Sequence, residues 1–169
     1  MKIAEAKQVR ECLYKAIFAS LFANRAVQDN IECCFWCYTD NGTLYCDKEQ
    51  VLNLIDEENI LSQEVKLKIG EYIDCYISNV AFFNTCIKKY LKEDFTIEKL
   101  AKSDLSIIYT GLTEIVANSE LSEKIIVNEM VELAKKYSGE NAYKFINGIM
   151  RNLVKEFRNE WSNLYSKSS

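Results

Sequence analysis

The sequence predicts an all-α protein of about seven helices, and three observations carry that prediction. Apolar residues recur at intervals of three and four along most of the 169-residue chain, the spacing that lines one face of a helix. There are five glycines and no proline, too few for the many tight turns of a β-sandwich or barrel. No internal repeat, linker or low-complexity tract breaks the pattern, so residues 1–169 read as a single domain.

The first helix is expected over residues 3–24. Ala6, Val9, Leu13, Ile17 and Leu21 would form its core stripe. Beside them Lys7, Arg10, Tyr14 and Phe18 make a second stripe at the same spacing. Cations beside rings suit nucleic acid, because the cations hold phosphate while the rings stack on bases. The plainer alternative is that Tyr14 and Phe18 widen the core face while the cations are solvated, the common fate of aromatic stripes on helices.

Residues 29–47 interrupt the helices. Phe35-Trp36-Cys37-Tyr38 and Thr43-Leu44-Tyr45-Cys46 flank Asp40-Asn41-Gly42, which fits a small hairpin with Asn-Gly in its turn. An irregular loop or a distorted connection fits equally. Cys34 and Cys37 have the two-residue spacer of a zinc knuckle, with Cys33 and Cys46 nearby. The second knuckle is missing, so these cysteines read as small packed apolar side chains and no metal site is expected.

Asp47-Lys48-Glu49-Gln50 resembles a capping box and starts a short helix to about Asp56. Ser62 caps a long helix, with Val65, Ile69, Ile73, Tyr76, Val80, Phe83, Ile87 and Leu91 on its apolar face and Gly70 inside it. Thr96 opens a short helix, and Asp104 precedes the apolar run Leu105 to Ile115. A helix from Ser122 to Tyr137 stops at Ser138-Gly139. The last begins near Glu140, with Ala142, Phe145, Ile149, Leu153, Phe157, Trp161 and Leu164 along one face. Gly148 falls inside it, where close approach of another helix would explain it.

Composition narrows the function. Zero histidine excludes Ser-His-Asp and Cys-His catalysis, histidine zinc sites and histidine pH switching together. Nothing arranges a pair of catalytic carboxylates, and no glycine-rich cofactor loop is present, so a binding protein without enzymatic activity or cofactor is expected. The net charge is −4, but unevenly spread: residues 1–25 carry +3 and residues 40–64 carry −6. A basic first helix therefore leaves room for an anionic partner on an acidic protein. Seven unpatterned cysteines, no signal peptide and no apolar run long enough for a bilayer point to a cytoplasmic protein that contacts no membrane. Trp36 or Trp161, if exposed, would supply an apolar patch for a homodimer.

Two blocks in the second half then resemble a known pattern. Ile126-Val127-Asn128-Glu129-Met130-Val131-Glu132-Leu133-Ala134-Lys135-Lys136-Tyr137 and Lys144-Phe145-Ile146-Asn147-Gly148-Ile149-Met150 are similar to the signature of the NusB family of bacterial antitermination factors. Ile97 to Tyr109 resembles the preceding helix pair of that family, and Arg10 to Phe18 its first helix. The resemblance implies a compact all-helical domain of two packed helical subdomains that has no enzymatic activity. It implies pairing with the ribosomal protein NusE, binding of the boxA sequence in single-stranded nascent RNA, and action on the RNA polymerase elongation complex, notably on ribosomal RNA operons.

Carried over residue by residue, the resemblance gives Lys2, Lys7, Arg10 and Phe18 as RNA-binding candidates, to which the stripe adds Tyr14, and Asp104 as the NusE contact. Only two cations remain where the family has an arginine-rich cluster, and Phe18 and Tyr109 stand where it has tyrosine and arginine. Each lost phosphate contact lowers affinity and salt dependence. Asn147 and Gly148 also have structural readings, a backbone hydrogen bond and tight helix packing. Two other roles stay open: an interaction module whose RNA binding has eroded, and the accessory domain of an RNA cytosine methyltransferase, a use of the same fold that needs a cofactor domain this chain lacks.

Overall fold

In the computed structural model, residues 1–22, 36–38 and 41–167 are described, with only the backbone of 37, 38 and 161–167. Among the described residues the fold is all-α, with six α-helices, one 3-10 turn and one two-stranded hairpin. The order is α1 (Ile3–Ser20), β1 (Trp36–Tyr38), β2 (Leu44–Cys46), α2 (Lys48–Ile55), α3 (Gln63–Lys88), the turn Ile97–Lys99, α4 (Lys102–Ala117), α5 (Glu123–Tyr137) and α6 (Ala142–Lys167). The chain divides into two compact units, Met1–Ser78 and Asn79–Ser169, and α3 contributes residues to both.

The first unit forms around one face of α1. Val9, Leu13 and Ile17 are 1% exposed or less, and they share the core with Trp36, Val51, Val65, Ile69, Ile73 and Tyr76. Of the two alternatives for the segment before α2, the hairpin is present, with Trp36 opposite Cys46 and Tyr38 opposite Leu44. Its turn uses Gly42 at φ 75°, a left-handed conformation open to glycine without a Cβ penalty. The ring of Trp36 meets Tyr76 edge-on at 6.1 Å, and the Tyr76 and Ser20 hydroxyls share a hydrogen bond of 3.1 Å.

Local capping chemistry sets the next helices. The Asp47 carboxylate accepts from the Gln50 amide at 3.1 Å and starts α2, and Ser62 accepts from the Val65 amide at 3.2 Å and starts α3. Between them Asp56, its side chain 1% exposed, accepts from the amides of Ile60 and Leu61 and pairs with Lys66 at 2.9 Å. Burial alone would raise the Asp56 carboxyl, but the Lys66 ammonium and the two amides outweigh it and hold the group below the ordinary carboxylate range.

The second unit is built around α4, with α4, α5 and α6 packed on one another. Every residue from Leu105 to Ile115 is buried, as expected of a helix covered on all sides. Its hydroxyls bond inside the helix: Ser106 to Lys102 O, Thr110 to Ser106 O and Thr113 to Tyr109 O, at 2.6–2.8 Å. Tyr109 is buried and donates to Asn84, so the side chain standing where the family has an arginine serves the interior.

The glycine expectation is corrected here. A Cβ on Gly148 would meet nothing within 4 Å, so no helix packs tightly against it. The close approach is at Gly111, where a Cβ would lie 2.5 Å from Met150 Cε and 2.9 Å from Met130 Cγ. Phe145, expected in the core stripe of α6, is instead 37% exposed, while Ile149, Leu153 and Phe157 are buried.

Candidate nucleic-acid interface

The proposed stripe on α1 splits in two. Lys2 and Lys7 are exposed and Phe18 is half-buried, but Arg10 and Tyr14 are 6% and 5% exposed. The expectation that all of these side chains face solvent therefore fails for Arg10 and Tyr14. The reason is angular. At 3.6 residues per turn Arg10 sits only about 20° around the helix from Ile17, so a core wide enough to cover Ile17 covers Arg10 as well. Tyr14 follows it inward, with its ring 6.0 Å from that of Phe18. Phe18 in turn meets Phe22 edge-on at 5.2 Å.

Lys15, which the sequence reading passed over, is exposed and shares the outward face with Lys7 and Phe18. It forms a loose pair with Glu11 at 3.6 Å, and exposed pairs of this kind contribute little. The backbone amide of Lys2 donates to Glu5 at 2.8 Å, which leaves the Lys2 ammonium unconstrained by that bond. The solvent face of α1 thus offers Lys2, Lys7 and Lys15 with one ring edge, a narrower surface than the sequence implies.

A second group of cations and rings gathers in the other unit, where α5 ends and α6 begins. Lys135 Nζ lies 5.6 Å and Lys144 Nζ 6.0 Å from the ring of Tyr143, and Lys136 Nζ lies 5.2 Å from that of Tyr137. The three lysines are exposed, as is Phe145, and both tyrosines are half-exposed. Cations held over ring faces beside a free aromatic edge form a surface on which bases stack and phosphates pair. The signal was present as Lys-Lys-Tyr and Tyr-Lys-Phe flanking the Ser138-Gly139 stop, but reading these residues only for helix periodicity hid it.

Asp104 is half-buried and already engaged. Its carboxylate accepts from the Ser138 hydroxyl, which lies 3.1 Å from that of Ser103. The first turn of α4 is thereby tied to the end of α5, beside the Lys135–Tyr137 corner. Asn128 is exposed and Asn147 half-buried, and both line a groove between α5 and α6 with Lys124, Arg151 and Lys155.

The metal question divides. Cys33 and Cys34 lie outside the described residues, and Cys46 is buried. Cys86, Glu156 and Glu160 bring three potential ligand atoms within 4.8 Å of one another. The Lys89 ammonium already bridges both carboxylates, bonding Glu156 and lying 3.6 Å from Glu160. Burial pushes the Cys86 thiol up to about 11, with Glu156 adding to the shift, so it stays protonated at neutral pH. The one lysine offsets half of the carboxylate charge of this cluster. No helix among the described residues is long and apolar enough to cross a membrane.

Comparison with known proteins agrees with this architecture. The chain matches the model of the NusB family over residues 7–155. It is 32% identical over 149 residues to the transcription antitermination protein NusB of Pediococcus pentosaceus, covering 88% of this chain and 96% of that one. It is 39% identical over 101 residues to the NusB of Ligilactobacillus salivarius, covering 60% and 75%. Its fold is similar to that of T. maritima NusB, with a TM-score of 0.68, 24% identity and coverage of 92% and 94%. It is also similar to a chain in the crystal structure of antitermination factors NusB and NusE in complex with dsRNA, with a TM-score of 0.66, 18% identity and coverage of 92% and 99%.

Proposed function

Because the chain belongs to the NusB family, we propose that it is a transcription antitermination factor that binds boxA-type single-stranded RNA together with NusE. The observation that carries this is the corner formed by Lys135, Lys136, Tyr143, Lys144 and Phe145. It is a cation-and-ring surface open to solvent on a protein whose net charge is negative. Lys2, Lys7, Lys15 and Phe18 on α1 supply further phosphate and base contacts in this reading, and Arg10 and Tyr14 act from within the core. Asp104 and the start of α4 face NusE. The elongation complex is reached through the RNA and NusE, in the cytoplasm, and no reaction is catalysed.

Anisotropy titration of a labelled boxA oligonucleotide, with and without NusE and across a salt series, tests the reading. About five lysine–phosphate contacts give a slope of log K on log salt near −3.5. Binding that is absent even with NusE contradicts it. The burial of Arg10 and Tyr14 favours a second reading, an interaction module that holds NusE while NusE alone holds RNA. That version expects RNA binding only with NusE present and no change on Lys7→Ala or Lys144→Ala.

A further inference from the structure

We propose that the groove between α5 and α6 is a second RNA-holding surface, one that lengthens the transcript footprint beyond the α5–α6 corner. The inference rests on the RNA-binding reading above and extends it to residues that reading does not use. Lys124, Arg151 and Lys155 line this groove, with Glu123 the one acid among its lining residues. All three cations are exposed, and among the described residues none is in an ion pair. Lys15, Lys48, Lys66, Lys68, Lys89 and Lys135 each have a carboxylate within 4.0 Å. Three cations gathered around a single acid leave a net positive groove, and a bound polyanion relieves their mutual repulsion.

The groove is continuous with the corner. Lys144, Gly148, Arg151 and Lys155 are spaced four, three and four apart, so they share one face of α6, and all four are exposed. From Lys144 to Lys155 that face runs roughly 16 Å. Gly148 sits between the two cationic ends with open space where a side chain would be. Its bare backbone leaves a smooth step over which a sugar-phosphate chain can lie close to the helix. Asn128 and Asn147 add amide donors and acceptors at the groove wall, groups suited to 2′-hydroxyls and base edges. The occupant these features fit is extended single-stranded RNA arriving from the corner.

Three oligonucleotides test this with the full chain and NusE: a boxA core of about 12 nucleotides, and the same core extended by about eight nucleotides at either its 5′ or its 3′ end. One extended RNA should bind more tightly than the core, with a salt slope steeper by about 2 for three added phosphate contacts. The variant Lys124→Gln/Arg151→Gln/Lys155→Gln should lose that advantage, about tenfold, while binding the core as the parent does. Equal affinity of core and both extended RNAs overturns the inference and leaves the corner reading standing. So does a triple variant that weakens core and extended RNA alike, or one that leaves the advantage intact. Failure of all three RNAs to bind overturns both proposals.

Discussion

The Ser138 hydroxyl donates to the Asp104 carboxylate, and that bond joins the first turn of α4 to the residue that ends α5. Tyr137, next to Ser138, belongs to the cation-and-ring corner, so the proposed partner side and the proposed RNA side meet at one hydrogen bond. This offers a route by which NusE at Asp104 would change how the corner is held.

Two substitutions separate the roles of Asp104. Asp104→Asn keeps an acceptor for Ser138 and removes the charge, so NusE affinity should fall about fivefold with little change in melting temperature. Ser138→Ala keeps the charge and removes the tie, so stability should fall by about 1 kcal/mol with NusE affinity largely retained. Calorimetric titration with NusE and thermal unfolding of both variants check this. A NusE affinity that is lost only in Ser138→Ala would make Asp104 a structural residue.

Two of the helix glycines, Gly111 and Gly148, should respond in opposite directions. Gly148→Ala adds a methyl group in open space and relieves the helix of a glycine, so it should stabilise by about 0.5–1 kcal/mol. Gly111→Val forces a branched side chain against Met130 and Met150, both fully buried, and should destabilise by about 2 kcal/mol. Urea midpoints of the two variants read this directly. Stabilisation by Gly111→Val would mean that the packing around α4 is looser than the structure has it.

Acid should weaken the fold through two paired carboxylates. Asp56 is held below the ordinary range by Lys66 and by backbone amides, against the effect of burial. Glu156 is held below it by Lys89 and Tyr90, again against burial. A carboxyl with a depressed folded-state pKa contributes stability above its unfolded value and loses it as pH falls through the folded one. The urea midpoint should therefore be steady from pH 7 to 5 and drop below about pH 4. Lys66→Met removes the counter-charge, so it should lower the midpoint at pH 7 and shrink the difference between pH 7 and pH 3. An unchanged pH 7 midpoint in that variant would contradict the role given to the pair.

Much of the helical framework was legible because it depends on local chemistry. Asp47 and Ser62 announce α2 and α3 by capping, and Ser138-Gly139 marks the end of α5. What escaped depends on partners distant in sequence. Arg10 lies so near Ile17 around α1 that only the width of the covering core decides its exposure. Gly111 and Gly148 look alike in a helical sequence, and only the approach of Met130 and Met150 sets them apart. Phe145 continues the apolar spacing of α6 at the end where the covering core stops. The cation-and-ring corner is not legible in the sequence because its members lie on two helices and meet only where these join.

The most direct test of the central claim is the boxA affinity of a Lys144→Gln/Phe145→Ala variant in the presence of NusE. Both side chains are exposed, so the melting temperature should stay at the parent value. Loss of one stacked base, at about 1–3 kcal/mol, together with one phosphate contact should weaken RNA binding tenfold or more and flatten its salt dependence. Parent-like affinity and salt slope in that variant would contradict the claim that this corner meets the RNA.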